Sequence, residues 1–313
     1  TGVQTCALPI SVTLTFTTSY PAATVSGAVF VDGYYVVGTP DGLLYNSNVE
    51  DPTTWQAINY VGVVSDADPL IAIGRTINYI VTFGSHHIEF FYDAGISPGS
   101  PFLPYQNSVL QFGAAAEDTV VQMDNTIVWV STSKQKGRQI MALSGVTPQV
   151  ISNAYIERTL NLCDPEQAYA FSIKISGHSL YVIALKDLGI SLVYDFAQQG
   201  WTYWTSTLNN QETYFLGQFY NKYNSYDLFQ NVSDGKVYSF DPSVYQDYGN
   251  PIQVLARTPI VDFGNNDRKF FGGAQVVGDK VDSYCLLRYT NDDYQTYSNW
   301  VTINLNTSKS QAN

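Results

Sequence analysis

The sequence predicts an all-β fold: a β-propeller-like array of about five hairpin blades with one short linker helix, followed by a truncated antiparallel β-sandwich module. Apolar, β-rich runs begin at Gly33, Thr76, Asn125, Gly177 and Tyr223, at intervals of 43 to 52 residues. Most of these runs are followed by a charged or glycine-bearing turn and a second strand that ends in an aromatic residue. Short strands with a period of roughly 40 to 50 residues are typical of propeller blades. A β-sandwich and a stack of unrelated hairpins are the alternatives.

The composition favours strands and disfavours some classes of function. The chain has 24 tyrosines and 16 phenylalanines, and only 13% of its residues are charged. Aromatic side chains favour strands and polar, aromatic contact surfaces. The net charge of −12, with scattered basic residues, argues against ordinary duplex binding, because such binding needs Lys and Arg on the phosphates. No run of about eighteen apolar residues occurs, so we expect no membrane-spanning helix.

The clearest blade runs from Gly177 to Trp204. Ser179 to Leu185 is apolar on both faces of a strand, so neighbouring sheets must cover both faces. A charged turn at Lys186 to Gly189 leads into a second strand from Ile190 to Tyr194. Large aromatic residues after Gly200 indicate a third, outer strand. The result is a three-stranded meander, which needs further copies of itself to bury both faces.

We divide the chain into three segments. Residues 1–10 resemble a translated sequencing-library adapter, so we interpret them as an artefact and set them aside from the fold prediction. Residues 11–250 are the predicted β-propeller domain. Residues 251–313 are the predicted partial β-sandwich domain, which follows the breaker cluster Tyr248–Pro251.

The cysteines predict a reducing compartment. Without Cys6, the remaining Cys163 and Cys285 lie far apart in different modules, and they have no metal-binding spacing. The N-x-S matches at Asn231 and Asn306 are then interpreted as chance.

The first blade is predicted from a strong hairpin signal at Asp41–Gly42. A polar, proline-bearing turn from Asn46 to Trp55 is expected to lead into the next strand. The connection ends at Ser65–Pro69, which contains Asp66 and Asp68. We interpret these two carboxylates as loop residues in preference to a catalytic or calcium-binding pair.

The second hairpin contains the histidine pair His86–His87, with Glu89 nearby. Adjacent residues on a strand point to opposite faces, so the two histidines cannot share a metal ion unless they lie in a turn. Gly84–Ser85 makes a turn plausible, but no cysteine or third histidine is near. We therefore expect no metal site.

One short linker helix is predicted between the third and fourth hairpins, ending before Asp164–Pro165. Ser152 or Asn153 is suited to cap it, and Glu157 falls in its first turns. Its expected apolar side consists of Ile156, Leu160 and Leu162.

Three pairs of sequence stretches, in order along the chain, resemble the podovirus tail-hub family, the packaged-DNA stabilisation proteins. They are I-E-F-F-Y-D-A-G (88–95) with P-F (101–102), M-D-N-T-I-V-W-V-S (123–131) with G-V-T-P-Q-V-I-S-N-A-Y-I-E (145–157), and G-H-S-L-Y-V-I-A-L (177–185) with V-Y-D-F-A-Q-Q-G-W (193–201). The resemblance implies a β-propeller subunit of an oligomeric ring that closes the head-to-tail channel of the virion after genome packaging. It implies no catalytic residues that could be transferred to this chain.

Beyond the fourth blade, a fifth hairpin is expected from Tyr214 to Tyr245, with its turn at Asp234–Gly235. In the final module, Thr290–Trp300 resembles the Asp-box turn of sialidase-like propellers, although Tyr294 stands where glycine is usual. Such turns are structural and say little about catalysis.

Two other functions compete with the structural one: a sialidase-like glycosidase and a carbohydrate-binding adhesin, each on a β-propeller. A sialidase needs three arginines around the substrate carboxylate and an activated tyrosine or paired carboxylates. The six arginines of this chain form no such motif; they are Arg75, Arg138, Arg158, Arg257, Arg268 and Arg288. No sequence feature excludes the adhesin.

We therefore predict a non-enzymatic structural protein of the bacteriophage tail, without catalytic, cofactor-binding or metal-binding residues and without a cofactor. Its expected partners are further copies of itself in a ring, a portal or adaptor protein, and the tail plug, needle or spike proteins. DNA is expected only as non-specific passing cargo. The expected location is the virion tail, after assembly in the cytoplasm of the host bacterium.

Overall fold

The computed structural model describes residues 19–63, 68–106, 108–133, 137–208, 211–241, 243–244, 246–247, 249–252, 254–265, 267–277, 282–292, 294–306 and 310–312. The predicted adapter segment, residues 1–10, lies outside the described residues, as does Asp66. The chain divides into two compact units, unit 1 (Thr1–Ile252) and unit 2 (Gln253–Asn313). The domain boundary predicted at residue 250 stays a prediction.

Unit 1 contains consecutive antiparallel sheets, each built from strands that are neighbours in the sequence. Sheet 1 holds β1 (Ala28–Val31), β2 (Tyr34–Gly38), β3 (Leu43–Asn48) and β4 (Asp51–Gly62). Sheet 2 holds β5 (Leu70–Arg75), β6 (Ile80–Gly84), β7 (Ile88–Asp93) and β8 (Phe102–Pro104). Sheet 3 holds β9 (Gly113–Ala114), β10 (Val121–Met123), β11 (Thr126–Thr132), β12 (Gln139–Ser144) and β13 (Thr147–Val150).

The same pattern continues after the helix. Sheet 4 holds β14 (Ala168–Ile175), β15 (His178–Leu185), β16 (Ile190–Asp195), β17 (Gly200–Leu208) and β18 (Gln211–Tyr214). Sheet 5 holds β19 (Gly217–Tyr223), β20 (Tyr226–Asn231) and β21 (Val237–Phe240), and β22 (Gln246–Asp247) pairs with β23 (Asn250–Pro251). These successive meanders confirm the predicted array of antiparallel blades.

Sheet 4 contains the hairpin that the sequence predicts most clearly. The turn after β15 ends at Gly189, whose φ of 67° lies in the left-handed region that favours glycine. The predicted three-stranded meander is nevertheless too small, because β14 pairs with β15 along its whole length and β18 pairs with β17. β14 was missed because half-buried or exposed residues interrupt its apolar pattern, including Ser172 and Lys174.

Each pair of consecutive sheets shares one apolar core. Sheets 1 and 2 bury Leu44 and Phe91 between them, and sheets 2 and 3 bury Phe83 and Trp129. Sheets 3 and 4 enclose Tyr181 together with the helix, and sheets 4 and 5 enclose Phe229. An inner sheet is therefore covered on both faces, which explains why its central strands are apolar at successive positions.

The predicted helix, α1, spans Ala154–Leu162. The Asn153 side chain caps it by accepting hydrogen bonds from the backbone N–H groups of Tyr155 and Ile156, each at 3.0 Å. Ile156 and Leu160 are buried in the core between sheets 3 and 4. The prediction for Leu162 is wrong, because its side chain is 72% exposed. Two residues beyond Leu160 is about half a helical turn, so Leu162 lies on the opposite side of the helix.

Unit 2 contains two antiparallel strand pairs among its described residues. β24 (Ala274–Val276) pairs with β27 (Ser310–Ala312), and β25 (Tyr284–Leu287) pairs with β26 (Val301–Asn304). Ile303 is buried, whereas large apolar residues such as Val254 and Phe270 are exposed. In both units, none of the helices in the described ranges has the length and apolar character needed to cross a membrane.

Candidate functional site

A groove with a volume of about 690 Å³ opens where turns and strand ends of sheets 1 and 2 meet. Three tyrosines line it: Tyr79 precedes β6, Tyr92 lies near the end of β7, and Tyr105 follows β8. Two carboxylates join them, Asp32 from the turn between β1 and β2, and Asp93 at the end of β7. We call this surface the tyrosine groove.

The tyrosine rings form an angled wall. The ring centroids of Tyr79 and Tyr105 are 5.1 Å apart with an interplanar angle of 46°, and those of Tyr92 and Tyr105 are 6.4 Å apart at 89°. The Tyr105 N–H donates to the Phe90 carbonyl at 2.7 Å, which fixes the backbone at this position. Asp93 is held because its Oδ1 accepts the N–H of Gly95 at 2.7 Å. The wall is therefore supported by backbone contacts on one side of sheet 2.

The charge of the tyrosine groove restricts what can bind there. Its remaining lining residues are neutral, with the amides of Asn78 and Gln106 among them, and none of the lining residues is Lys, Arg or His. A groove with two carboxylates and no cation disfavours phosphates and sialic acids. Tyrosine faces and carboxylates instead suit cations or neutral hydroxyl-rich ligands.

Sequence reasoning missed the tyrosine groove. Its tyrosines come from three separate segments, and each stands at a turn or at a strand end. The available signal was the high tyrosine content, which predicts aromatic surfaces without saying where they lie.

The histidine pair belongs to a second cluster of titratable groups, at the turn between β6 and β7. The Asp68 Oδ2 atom lies 3.2 Å from Nδ1 of His86 and 3.5 Å from Nδ1 of His87. On the other side of the His87 ring, Nε2 lies 3.4 Å from Oε1 of Glu89. His87 and Glu89 are both buried, whereas the His86 side chain is partly exposed. The cluster thus places one buried imidazole between two carboxylates.

Both histidine side chains reach Asp68, a convergence that the sequence allows only in a turn. They lie in the turn that Gly84–Ser85 begins, which was the one arrangement that allowed them to converge. Gly84 is needed there, since a Cβ atom at this position would lie 2.6 Å from the His87 ring. Within the described ranges, no group of three His, Cys, Asp or Glu side chains is arranged to hold a metal ion.

The surroundings of His87 set its protonation. The contact with Glu89 raises the pKa of His87 above 6.5, against the opposing effect of burial, and Asp68 adds to the rise. Burial tends to raise the pKa of Asp68, but the hydrogen bonds with His87 and His86 outweigh it and bring the pKa below 3.8. The two carboxylates therefore favour the protonated form of His87, which lies between Asp68 and Glu89.

We expect His87→Gln to destabilise unit 1 by about 1–3 kcal/mol at pH 6, because the variant removes a buried charged partner of two carboxylates. The folded pKa of His87 is above its unfolded value, so its stabilisation is complete below pH 6.5 and is lost as the pH rises through the folded pKa. Urea unfolding between pH 5.5 and 9 measures both effects. The variant should lose this part of the pH dependence, and His178→Gln, in sheet 4, should keep it. An unchanged dependence in His87→Gln contradicts the assignment.

Two of the six arginines that were considered for a sialidase site have structural roles. Arg138 donates through Nη1 to the carbonyl oxygens of Leu160 and Cys163, which satisfies the C-terminal end of α1. Arg75 donates to the Phe30 carbonyl oxygen. Neither lines the tyrosine groove, so the groove does not supply the arginines that a sialidase site needs.

The Asp-box-like turn in unit 2 is held together by Asp292. Its carboxylate accepts the Oγ1–H of Thr290 at 2.7 Å and the N–H of Thr296 at 2.8 Å. Hydrogen bonds from the Thr296 side chain and backbone, and from Thr290, lower the pKa of Asp292 to about 2. Tyr294 has a φ of 64°, the left-handed conformation for which glycine is usual at this position. The turn therefore joins β25 to β26 and is held by Asp292.

Comparisons with solved structures give distant matches. The designed protein Ika8 is 14% identical with a TM-score of 0.38, covering 72% of this chain and 59% of its own. BamB from Moraxella catarrhalis is 13% identical with a TM-score of 0.35, covering 70% of this chain and 65% of its own. BBS1N, solved in complex with ARL6DN, is 12% identical with a TM-score of 0.37, covering 69% of this chain and 62% of its own. This chain thus spans less than two thirds of each of them.

A search among curated proteins gives no match. The comparison with family models does: residues 6–245 match the phage stabilisation family described as "Bacteriophage P22 Gp10, beta-propeller". The matched region includes all five sheets of unit 1 and the three pairs of stretches quoted above. The suspected resemblance is confirmed, and the chain belongs to the bacteriophage P22 Gp10 β-propeller family of phage stabilisation proteins.

Proposed function

We propose that this chain is a structural subunit of the phage tail hub, which closes the channel between portal and tail and retains packaged DNA in the virion. During infection the same channel serves as the conduit for DNA ejection. The observation that carries the proposal is the family match across residues 6–245, onto sheets that stack as propeller blades. On this proposal the chain is not an enzyme, and residues 11–250 and 251–313 act as separate propeller and sandwich domains.

The charge of the chain supports a channel that does not hold on to DNA. At a net charge of −12 per subunit, a ring with acidic residues facing inward has a negative inner wall. Like charge weakens adhesion of the phosphate backbone, so DNA slides through without specific contacts. Retention then depends on physical closure of the channel, and DNA remains passing cargo.

The proposed partners are those of a hub in the virion tail. Copies of this chain form the ring, a portal or adaptor protein lies on one side, and a plug, needle or spike protein lies on the other. Assembly takes place in the cytoplasm of the host bacterium. Exposed tyrosines suit such contacts, because they bury a large apolar area and keep a hydroxyl group for hydrogen bonding.

The proposal is tested by measuring self-association and DNA affinity together. Light scattering of the purified chain should show assemblies larger than the 34.7 kDa monomer. The chain should bind a labelled 30-base-pair duplex only weakly at physiological salt, with a Kd of about 100 µM or weaker, as in non-specific DNA binding. A protein that stays monomeric and binds duplex DNA with micromolar or tighter affinity contradicts the proposed function.

A further inference from the structure

We propose that the tyrosine groove of one copy receives helix α1 of a second copy, with Arg158 placed against the groove's tyrosines and carboxylates. The proposal rests on the self-assembly in the proposed function and assigns a surface to it. Its first support is Arg158 itself, which is exposed on α1. Arg158 is the one basic side chain, among the residues that the structure describes, for which no hydrogen bond, ion pair or ring contact exists.

The other described basic side chains are all engaged within the chain. Lys174, Lys222 and Lys236 pair with carboxylates. Arg75, Arg138 and Lys269 donate to oxygen atoms, and Lys186, Arg257, Arg268 and Arg288 lie over aromatic rings. A chain that satisfies these cations internally leaves Arg158 available for a partner.

The surface of α1 around Arg158 has the composition of a contact face. Tyr155 is 58% exposed and Leu162 is 72% exposed. Residues 155, 158 and 162 are spaced by three and four, so the three side chains share one side of the helix. The opposite side is already occupied, because Ile156 and Leu160 pack into the core of unit 1. The outward side therefore offers an aromatic ring, a guanidinium group and an aliphatic side chain to another molecule.

The tyrosine groove has the complementary chemistry. Asp32 and Asp93 supply negative charge, and Tyr92 and Tyr105 are at least one third exposed. A guanidinium group stacks on tyrosine faces and pairs with carboxylates, which a lysine does less well. The chain itself shows this chemistry in unit 2, where the guanidinium carbon of Arg288 lies 3.8 Å from the ring centroid of Tyr297. Charge complementarity thus favours a cationic surface such as α1 with Arg158 of a second copy over an anionic or uncharged occupant.

The two surfaces belong to different parts of unit 1, so the contact is head to tail. The groove lies at sheets 1 and 2, and α1 lies between sheets 3 and 4. The pair then keeps one free groove and one free helix, and repetition of the contact produces a ring when the rotation closes. This is the type of interface that a hub around a channel requires.

Three variants test the interface. The groove variant, Asp32→Asn with Asp93→Asn, removes both charges and keeps the side-chain acceptors. The helix variant is Arg158→Gln. The control, Asp41→Asn with Glu212→Gln, changes the charge equally at two exposed acids outside the groove. Sedimentation should show self-association weakened about tenfold or more in the groove and helix variants, and less than about twofold in the control, with thermal midpoints within about 3 °C of the parent chain.

Mixing provides the sharper measurement. A groove variant keeps its helix and a helix variant keeps its groove, so an equimolar mixture has one intact contact per pair and should stop at dimers. Larger assemblies in the mixture, or parental association in both variants, overturn this interface but leave the ring of the proposed function standing. A parent chain that is monomeric at all concentrations overturns both.

Two other occupants are outcomes of the same test. A neutral hexasaccharide and an arginine-containing peptide unrelated to this chain are titrated into the parent chain and the groove variant. Saccharide binding that the groove variant loses, while self-association is unchanged in all variants, overturns the proposal in favour of a glycan site. Binding of the unrelated peptide with unchanged self-association assigns the groove to a different protein and also overturns it. If neither ligand binds and the groove and helix variants lose self-association, the result supports a second copy as the occupant.

Discussion

Replacing Trp129 by alanine should destabilise unit 1 by about 3–5 kcal/mol, the range found when a large aromatic side chain is removed from a packed core. Trp129 is fully buried between sheets 2 and 3, where its ring centroid lies 5.2 Å from that of Phe83. Its Nε1–H donates to the carbonyl of Gly113 at 3.2 Å. The substitution therefore leaves a cavity and removes a buried hydrogen bond in a core that two sheets share.

The matched control is Trp204→Ala. Trp204 lies on β17, between β16 and β18, and is half-buried against the core between sheets 4 and 5. Trp204→Ala should lower the unfolding free energy by about half as much as Trp129→Ala or less, because less of the Trp204 ring is packed in a core. Urea unfolding followed by far-UV circular dichroism measures both variants. Equal losses contradict the assignment of Trp129 to a core shared by two sheets.

Replacing Gly113 by alanine should destabilise unit 1 by about 3 kcal/mol through overpacking. The added Cβ atom would lie 2.1 Å from the carbonyl oxygen of Gly84 and 2.5 Å from the backbone nitrogen of His86. Both neighbours are backbone atoms of a turn, so they cannot rotate out of the way as a flexible side chain can. The turn that carries His87 must move, and the pH dependence assigned to His87 should weaken in this variant.

Gly200→Ala is the control for this prediction. Gly200 begins β17, and the nearest atom to an added Cβ is the carbonyl oxygen of Gln198 at 3.9 Å, an ordinary contact. Its unfolding free energy should change by less than about 1 kcal/mol. Urea unfolding at pH 6 and pH 8 compares the two variants. A Gly113→Ala protein as stable as Gly200→Ala means that sheets 2 and 3 do not approach each other as described.

The Trp129 and Gly113 substitutions should also show coupling. The Trp129 indole donates to the Gly113 carbonyl, so the two residues share one contact between the strands of sheet 3. In a double-mutant cycle their effects should differ from the sum by about 0.5–3 kcal/mol.

The sequence predicted the blades because their signals are local. The strand His178–Leu185 is apolar along most of its length, and the turn after it contains Gly189. The strand Asp51–Gly62 shows the limit of this reasoning. Its first residues, including Pro52, were interpreted as a turn because they are polar and contain proline, yet they pair with the end of β3. Pro52 is exposed there, and a proline is tolerated at the start of a strand.

The candidate sites could not be predicted because their parts are distant in sequence. Asp68 and His86 are 18 residues apart and meet only through the register of β5 and β6. Asp32 and Tyr105 meet only because sheet 1 packs on sheet 2. The helix cap at Asn153, by contrast, depends on residues within one turn of the chain, and it was among the predicted caps.

The core that each sheet shares with the next has a consequence for synthesis on the ribosome. A sheet that has just left the ribosome cannot cover its second face until the following 43 to 52 residues have emerged. At about 5–20 residues per second, that interval lasts roughly 2–10 seconds. During each interval a nascent chain exposes one apolar face with paired strands, which is a target for chaperones and for neighbouring nascent chains. Slower translation lengthens the time for which each blade in turn exposes its apolar face.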